Sequence, residues 1–126
     1  GLENAHEAEV LQGSFFTHHL TAGLRGAADR EGDGAVTLTE AFEYARERTI
    51  RGTARLAREI QHPSFDLNLR GRRDIVLTEV AASPSQLVVA QRRGPLEVVH
   101  ATSGLTVAEL QPGEQVTRLA VPPGRY

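Results

Sequence analysis

An acidic, glycine-rich loop lies in the first half of the chain and reads Asp29-Arg30-Glu31-Gly32-Asp33-Gly34-Ala35-Val36-Thr37-Leu38-Thr39-Glu40. Apolar residues recur at helical spacing on both sides of this loop. Before it, every fourth residue from Phe16 to Leu24 is apolar, which predicts a helix with an N-cap at Ser14 and an end near Ala28. A longer amphipathic segment follows the loop. The sequence therefore predicts two helices joined by a sharp turn.

The second predicted helix has signals at both ends. Thr39 or Thr37 supplies its N-cap, and it runs to about Ile60. The segment Gln61-His62-Pro63 ends it, because the residue before a proline is driven out of the α region. Its predicted core positions are Phe42, Ala45, Thr49, Leu56 and Ile60. Residues 1–13, in contrast, are polar and acidic, and they predict a loop or a frayed helical turn.

The twelve loop residues also fit the calcium-binding loop of an EF-hand. Such a loop places oxygen ligands at positions 1, 3, 5, 7, 9 and 12 and a glycine at position 6. The corresponding ligands are Asp29, Glu31, Asp33, the Ala35 carbonyl, Thr37 and Glu40, with Gly34 at the turn. Two features depart from the motif: Glu31 is one methylene longer than the usual ligand, and there is one loop where EF-hands usually pair. The alternative is an acidic turn in which Glu40 serves only the first turn of the following helix.

The remaining chain predicts strands. Residues 75–80 form an apolar run with β-branched side chains, which predicts a strand buried on both faces, as in a parallel sheet under helices. Four short strands are predicted at 87–91, 96–101, 106–110 and 116–121, as an antiparallel meander that begins a small β-sandwich. Pro112-Gly113 predicts a type II turn between the last two.

The composition changes at a small-residue linker, 81–85. Residues 1–80 hold 13 acidic residues and 10 Arg, whereas residues 81–126 hold 3 and 4. Two domains are therefore predicted, at 1–80 and 81–126, of which the second resembles a truncated β-domain.

Composition excludes several classes of function. The 126 residues amount to about one domain, and a net charge of −2 gives no reason to expect a nucleic-acid partner. Cysteine is absent, so this chain holds no cysteine nucleophile. No apolar run approaches the roughly 20 residues of a membrane span, and no signal peptide is evident, so a cytoplasmic location is the default. Methionine is also absent, and we expect the chain to be a fragment cut at both ends.

Two groups of polar side chains offer less specific signals. His18 and His19 are adjacent, and a helix turns them about 100° apart, so one metal ion does not easily take both. We expect one exposed histidine and one at the edge of the core. Glu3, Glu7 and Glu9 form an acidic segment, which is either a solvated surface or a wall that receives a basic side chain.

A resemblance to a known family unites several of these segments. Residues 13–20, which read Gly-Ser-Phe-Phe-Thr-His-His-Leu, resemble the small-subunit portion of a caspase-like cysteine peptidase. Gln61-His62-Pro63 and the strand at 74–80 are similar to the same portion, and residues 24–29 and 36–38 resemble its bacterial branch. The resemblance covers about residues 3–80, and the later strands resemble a β-domain appended to such peptidases.

This resemblance implies a fold and a division of labour. The family has the α/β fold of the caspase-hemoglobinase class, to which this chain would add two helices and the last strand of a mostly parallel sheet. The catalytic His and Cys would lie upstream, on a large-subunit fragment that is the expected partner, and no residue here would be catalytic. Glu3 and Glu7 match a stretch that lines the cleft for a peptide or protein substrate, which implies cleavage after a basic residue. Cleavage after Asp is not expected, since no Arg precedes Arg25.

Other interpretations stay open. The chain also fits an EF-hand-like, calcium-binding interaction module without enzymatic activity, although the peptidase family accounts for more of its motifs together. It also fits a pseudo-peptidase adaptor whose partner lacks the nucleophile. If the peptidase interpretation holds, the beginning at Gly1 fits proteolytic processing into fragments that stay associated, as a heterodimer.

Overall fold

The computed structural model describes residues 2–54 and 74–126, which form a mixed α/β structure with two α-helices and small antiparallel sheets. The helices are α1 (Leu2–Ala22) and α2 (Leu38–Thr53). The strands are β1 (Ala35–Thr37), β2 (Val76–Glu79), β3 (Gln86–Val89), β4 (Leu96–Val99), β5 (Thr106–Leu110) and β6 (Thr117–Ala120). A π-helical turn at Gly23–Ala27 and a 3₁₀ turn at Val80–Ala82 complete the regular elements of these residues.

Helix α1 begins twelve residues earlier than the Ser14 cap predicts. The prediction of a loop or a frayed helical turn at 1–13 was wrong for residues 2–13, which form regular helix, and Ser14 lies inside that helix. The segment lacks a strong apolar stripe, but it consists largely of residues with high helix propensity, such as Leu, Glu, Ala and Gln. Propensity, rather than an amphipathic pattern, therefore accounts for the first three turns.

In the π-helical turn that follows α1, the backbone at Gly26 lies directly against the backbone of β6. Gly26 has φ of 131°, a conformation that a residue with a β-carbon rarely adopts. A β-carbon at Gly26 would overlap the Arg118 carbonyl oxygen and would lie 3.4 Å from the Leu119 Cα. The absence of a side chain at this position therefore lets the end of α1 dock closely on β6.

Helix α2 begins where a capping box forms. The backbone N–H of Glu40 donates to Thr37 Oγ1 at 3.2 Å, and the backbone N–H of Thr37 donates to Glu40 Oε2 at 2.9 Å. Of the two predicted caps, Thr37 is therefore the one used. The backbone N–H of Thr39 donates to Asp74 Oδ1 at 3.1 Å, so the segment before β2 also satisfies this helix end. The predicted break at 61–63, like the core positions Leu56 and Ile60, lies outside the described residues.

Strand β2 pairs with β1, and the pairing is antiparallel, with Val36 opposite Thr78. The prediction of a strand in a parallel sheet, buried on both faces, was wrong for the described structure. Ile75, Val76 and Leu77 are 54, 50 and 44% exposed. The cause is that β1 is only three residues long and covers one edge of β2, while no described element covers the apolar side chains of residues 75–77.

The last four strands form one long antiparallel hairpin, residues 86–120, which we call the β-ribbon. Strand β3 pairs with β6, with Gln86 opposite Ala120. Strand β4 pairs with β5 farther along the same two strands, and a single bridge between Arg92 and Gly113 links the two ladders. The predicted strands are confirmed to within a few residues at each end. The predicted meander is wrong, because β3 and β6 pair with each other rather than with their sequence neighbours.

The β-ribbon folds back on itself. About 15 residues separate its base from Ala101 near its tip, which is roughly 50 Å of extended strand. Arg125 lies five residues beyond β6, within about 18 Å of it. The backbone N–H of Ala101 nevertheless donates to the Arg125 carbonyl oxygen at 2.8 Å, so the tip must return toward the base. The bend lies near the Arg92–Gly113 bridge, where the backbone curves on both strands. The predicted type II turn at Pro112-Gly113 does not form, because it requires a positive φ at Gly113 and the φ there is negative.

A single apolar cluster joins the helices to the β-ribbon. Leu119 and Val36 are fully buried, and Val80 is 1% exposed. The same cluster includes Ala22 and Ala28 from the first helical region, with Val98, Val107, Leu110 and Val121 from the later residues. Of the predicted core positions on α2, Ala45 and Thr49 are fully buried and Phe42 is partly buried. Residues on both sides of the predicted boundary at 80/81 therefore contribute to the same packing.

Candidate functional site

The predicted calcium loop closes on the carboxylate of Asp29. Asp29 Oδ1 accepts hydrogen bonds from the backbone N–H groups of Gly32 at 2.9 Å and Asp33 at 3.3 Å, and Oδ2 accepts one from Gly34 at 2.9 Å. Gly34 has φ of 82°, and a β-carbon there would lie 2.7 Å from that of Ala81. The loop thus turns sharply at its sixth position, as the motif requires, and its own hydrogen bonds fix the turn.

The other predicted calcium ligands are spread along this loop. Asp33 Oδ1 accepts a hydrogen bond from the backbone N–H of Ala35 at 3.0 Å, Glu31 is exposed, and Glu40 is engaged with Thr37 in the capping box. Among the described residues, no three of the four predicted carboxylates bring their oxygens within 4.8 Å of one another. The loop backbone is therefore turned as a calcium loop would be, but the ligand cage is not assembled. Calcium binding at these positions stays a prediction.

The single loop has a pairing partner that the sequence does not indicate. In a paired EF-hand, the short strand of one loop pairs with that of the other. Here β1 pairs with β2, and Val36 at loop position 8 is fully buried. The short strand of the loop therefore pairs with a strand from a later part of the chain.

Glu3 and Glu7, the predicted substrate-binding residues, lie on α1 and not in a loop. A helix advances 100° per residue, so two side chains four positions apart differ by about 40° and share one face. Both residues are exposed. Glu9 lies about 240° from Glu3 around the axis and faces elsewhere. The structure thus places the two predicted residues side by side, and their role in substrate binding stays a prediction.

A cluster that the sequence did not predict forms where α1 meets β5. Within residues 2–54 and 74–126, His18, His19 and Glu109 form the one group of three histidine or acidic side chains whose ligand atoms all lie within 4.8 Å of one another. His18 Nε2 lies 3.7 Å from Glu109 Oε1. The sequence predicts one exposed and one core-edge histidine; the His18 side chain is only partly exposed, at 35%, and His19 is buried, at 5%. No local sequence signal points to Glu109, which is about 90 positions away.

Aromatic rings hold His19 in place. Phe15 stacks on its imidazole at 6.4 Å between centroids, and Tyr44 meets it edge-on, also at 6.4 Å. The Tyr44 hydroxyl donates to the Glu109 backbone carbonyl at 3.3 Å, and the Arg48 guanidinium lies over the Tyr44 ring at 5.0 Å. These contacts couple α2 to the same cluster.

The electrostatics of the cluster favour a neutral His19. Burial lowers the pKa of His19, and the charges of His18 and Arg48 act in the same direction, while Glu109 opposes them. Burial also raises the pKa of Tyr44, so its hydroxyl keeps its proton at neutral pH. A neutral imidazole beside a carboxylate can accept a proton or bind a metal ion.

A shallow groove of about 370 Å³ lies between the π-helical turn and β2. Arg25, Thr78 and Glu79 contribute to its lining. The Thr78 hydroxyl donates to the Leu24 carbonyl at 2.7 Å, whereas the buried Arg25 Nε has no hydrogen-bond partner among the described residues. Thr78 and Glu79 belong to β2, the strand that also carries the exposed residues Val76 and Leu77.

No family model, curated protein or solved structure matches this chain. Among the described residues, neither helix combines the length and the apolar character that a membrane crossing needs.

Proposed function

We propose that this chain is the non-catalytic C-terminal portion of a caspase-like cysteine endopeptidase. The catalytic Cys and His belong to a large-subunit portion, where the thiolate attacks the substrate carbonyl and the His serves as general acid and base. This chain completes the central sheet and lines part of the substrate cleft. The enzyme is cytoplasmic in this proposal.

The exposed apolar residues of β2 carry the proposal. Val76 and Leu77 of β2 and the preceding residue, Ile75, are each about half exposed. Val76 and Leu77 are consecutive in the strand, so their side chains point to opposite faces. Apolar residues on both faces of a strand are typical of a sheet covered on both sides. The resemblance to the peptidase family supplies such a sheet, since residues 74–80 correspond to its last strand. The large-subunit portion would cover the exposed apolar side chains of residues 75–77.

Glu3 and Glu7 supply the proposed preference for a basic residue. Two exposed carboxylates on one face of α1 can together bind a guanidinium, whose planar fork matches carboxylate oxygens. The geometry leaves both side chains free to approach a substrate, since neither is buried.

Native mass spectrometry of the protein isolated from its source, followed by a denaturing run, tests the proposal. We expect the 13.7 kDa sequence to be bound to, or continuous with, a larger portion that contains cysteine. A peptide inhibitor that ends in Arg and carries a thiol-reactive group should label that cysteine. A 13.7 kDa chain that is folded and alone would refute the proposal. A partner without a reactive cysteine would instead favour a pseudo-peptidase adaptor.

A matched set of variants tests the substrate preference in the active assembly. Replacing Glu3 and Glu7 together by Gln should lower kcat/KM for peptides with Arg before the scissile bond. Glu9→Gln removes the same type of charge from another face of the helix and should leave kcat/KM close to the wild-type value. An equal loss in both variants would mean that general negative charge, and not this pair, attracts the substrate.

A calcium-binding interaction module is the second candidate function. The observation that favours it is the loop backbone, in which Asp29 accepts the N–H groups of the fourth, fifth and sixth loop residues. In this proposal calcium fixes the angle between α1 and α2 and has no enzymatic role. Calcium titration monitored by circular dichroism tests it, since the change should disappear in Asp29→Ala and Glu40→Ala.

A further inference from the structure

The side chains of His18, His19 and Glu109 converge from two elements that are distant in sequence. The two histidines lie in the last turns of α1, and Glu109 lies on β5, which pairs with β4 near the tip of the β-ribbon. Adjacent residues on a helix point about 100° apart, which separates their Cβ atoms but does not prevent their rings from turning toward one point. The ring centroids of His18 and His19 are 5.1 Å apart, at an interplanar angle of 65°.

The separations between the ligand atoms are close to those of a tetrahedral zinc site. Zinc binds imidazole nitrogen and carboxylate oxygen at about 2.0–2.2 Å, so two ligand atoms around a tetrahedral ion lie roughly 3.4 Å apart. The distance from His18 Nε2 to Glu109 Oε1 is 3.7 Å, and all three ligand atoms fall within 4.8 Å. His18 and Glu109, whose side chains are partly exposed, are the two ligands that would have to change rotamer to close the remaining distance.

The surroundings of the cluster also suit a metal ion. Within the described residues, the two imidazoles make ring contacts with Phe15, Tyr44 and each other, and His18 Nε2 faces Glu109 Oε1. His19 is held by Phe15 and Tyr44, which orients the most buried ligand. The His18 and Glu109 side chains are 35 and 45% exposed, which gives a metal ion a path from solvent. Arg48 is the opposing charge nearby, but its guanidinium lies over the Tyr44 ring.

We propose that His18, His19 and Glu109 form a site for a divalent transition-metal ion, and that this ion is zinc. Two imidazoles and one carboxylate are a recognised zinc donor set, and they leave a fourth position for water. The ion links α1 to β5, so it fastens the helical part of the chain to the β-ribbon. This site is separate from the predicted calcium loop, whose ligands are oxygen atoms only.

Cobalt and zinc titrations of the tag-free protein, in the assembly in which it is isolated, test the site. Cobalt(II) should bind in a one-to-one ratio to this chain and give the intense visible absorption of a four- or five-coordinate ion. Zinc should remove that absorption, whereas excess calcium should not. Glu109→Gln and His18→Gln should each weaken zinc binding by at least about tenfold, because each removes one of three ligands.

His6→Gln is the matched control, because His6 is an exposed histidine on the same helix. It should leave both the cobalt spectrum and the zinc affinity unchanged. Far-UV circular dichroism of each variant separates loss of a ligand from loss of the fold. Glu109→Gln is the more informative variant, because the Glu109 side chain is more exposed than that of His18 and its replacement should disturb the fold less. Zinc affinity that is equal in the wild type and in Glu109→Gln would overturn the proposal. So would a cobalt spectrum typical of a six-coordinate aqua ion.

Discussion

The contact between Gly26 and β6 predicts a large effect for a single added methyl group. In Gly26→Ala the new β-carbon meets the Arg118 carbonyl oxygen, which is a backbone atom and cannot rotate away. Arg118 is paired with Val88 where β6 meets β3, at the base of the β-ribbon, and the next residue, Leu119, is fully buried. The clash can be relieved only by a movement of the π-helical turn or of β6.

Two contributions set the magnitude. A φ of 131° costs a residue with a β-carbon about 1–3 kcal/mol. Displacement of β6 loosens the packing of Leu119, whose complete removal from a core would cost about 2–5 kcal/mol. With part of that packing lost, we expect Gly26→Ala to lower the free energy of unfolding by about 3–5 kcal/mol. At a urea dependence of about 1.5 kcal/mol per molar, the midpoint falls by roughly 2–3 M.

Urea unfolding monitored by far-UV circular dichroism measures this effect, and Gly13→Ala is its matched control. Gly13 lies within α1 and is exposed, and a β-carbon added there would have no neighbouring atom within 4 Å. The same substitution there should raise the free energy of unfolding by about 0.5–1 kcal/mol, because alanine is the better helix former. If Gly26→Ala changed the stability by less than about 1 kcal/mol, the close docking of α1 on β6 would be wrong.

Three further predictions concern single side chains. Desolvation acts to raise the pKa of Asp74, but hydrogen bonds from Thr37, Thr39 and Ile75 together outweigh it and lower that pKa. The stabilising effect of the Asp74 carboxylate is therefore present above about pH 4 and is lost as the pH falls further. Asp74→Asn should flatten the acid side of a pH series of urea midpoints. Val76→Glu should abolish association with the large-subunit portion in native mass spectrometry, whereas Val88→Glu, at a site of similar exposure, should not, and equal binding by both would contradict a role for β2. In EDTA, Asp29→Ala should cost about 1–2 kcal/mol of stability because three backbone N–H groups lose their acceptor, and Asp33→Ala, with one such partner, should cost less in the same urea assay.

Local signals in the sequence located the start of α2 to within two residues, at Thr37 or Thr39. A threonine followed three residues later by a glutamate specifies a capping box through contacts within four residues, and the structure forms it at Thr37 and Glu40. The turn at Gly34 was also predictable from local sequence, because glycine readily adopts the positive φ that this turn requires. Charge and polarity misled at residues 2–13, where helix propensity outweighs the lack of an apolar face.

Local patterns in the sequence could not predict which strands pair or which distant side chains come together. The apolar run at residues 75–80 specifies a strand, but nothing in it identifies β1 as the partner or the pairing as antiparallel. The cluster of His18, His19 and Glu109 depends on how the β-ribbon docks against α1, which no residue near either histidine encodes. The mixed α/β class and the approximate positions of the strands therefore follow from sequence here, whereas the start of α1, the strand partners and the candidate metal site do not.

The nested pairing of the β-ribbon also has a consequence for the order in which the chain folds. At the tip, the hydrogen bond from the backbone N–H of His100 to the Leu105 carbonyl closes a loop of a few residues, whereas the outermost pair joins Gln86 to Ala120. Loop-closure entropy grows with the number of residues enclosed, so direct closure of the base costs more than closure of the tip. Once the tip has formed, each further pair encloses almost no new chain, and we expect the two strands to zip from tip to base. The last pairs to form are those of β6, so Leu119 enters the core at the end of the process and the helices acquire their apolar partner late.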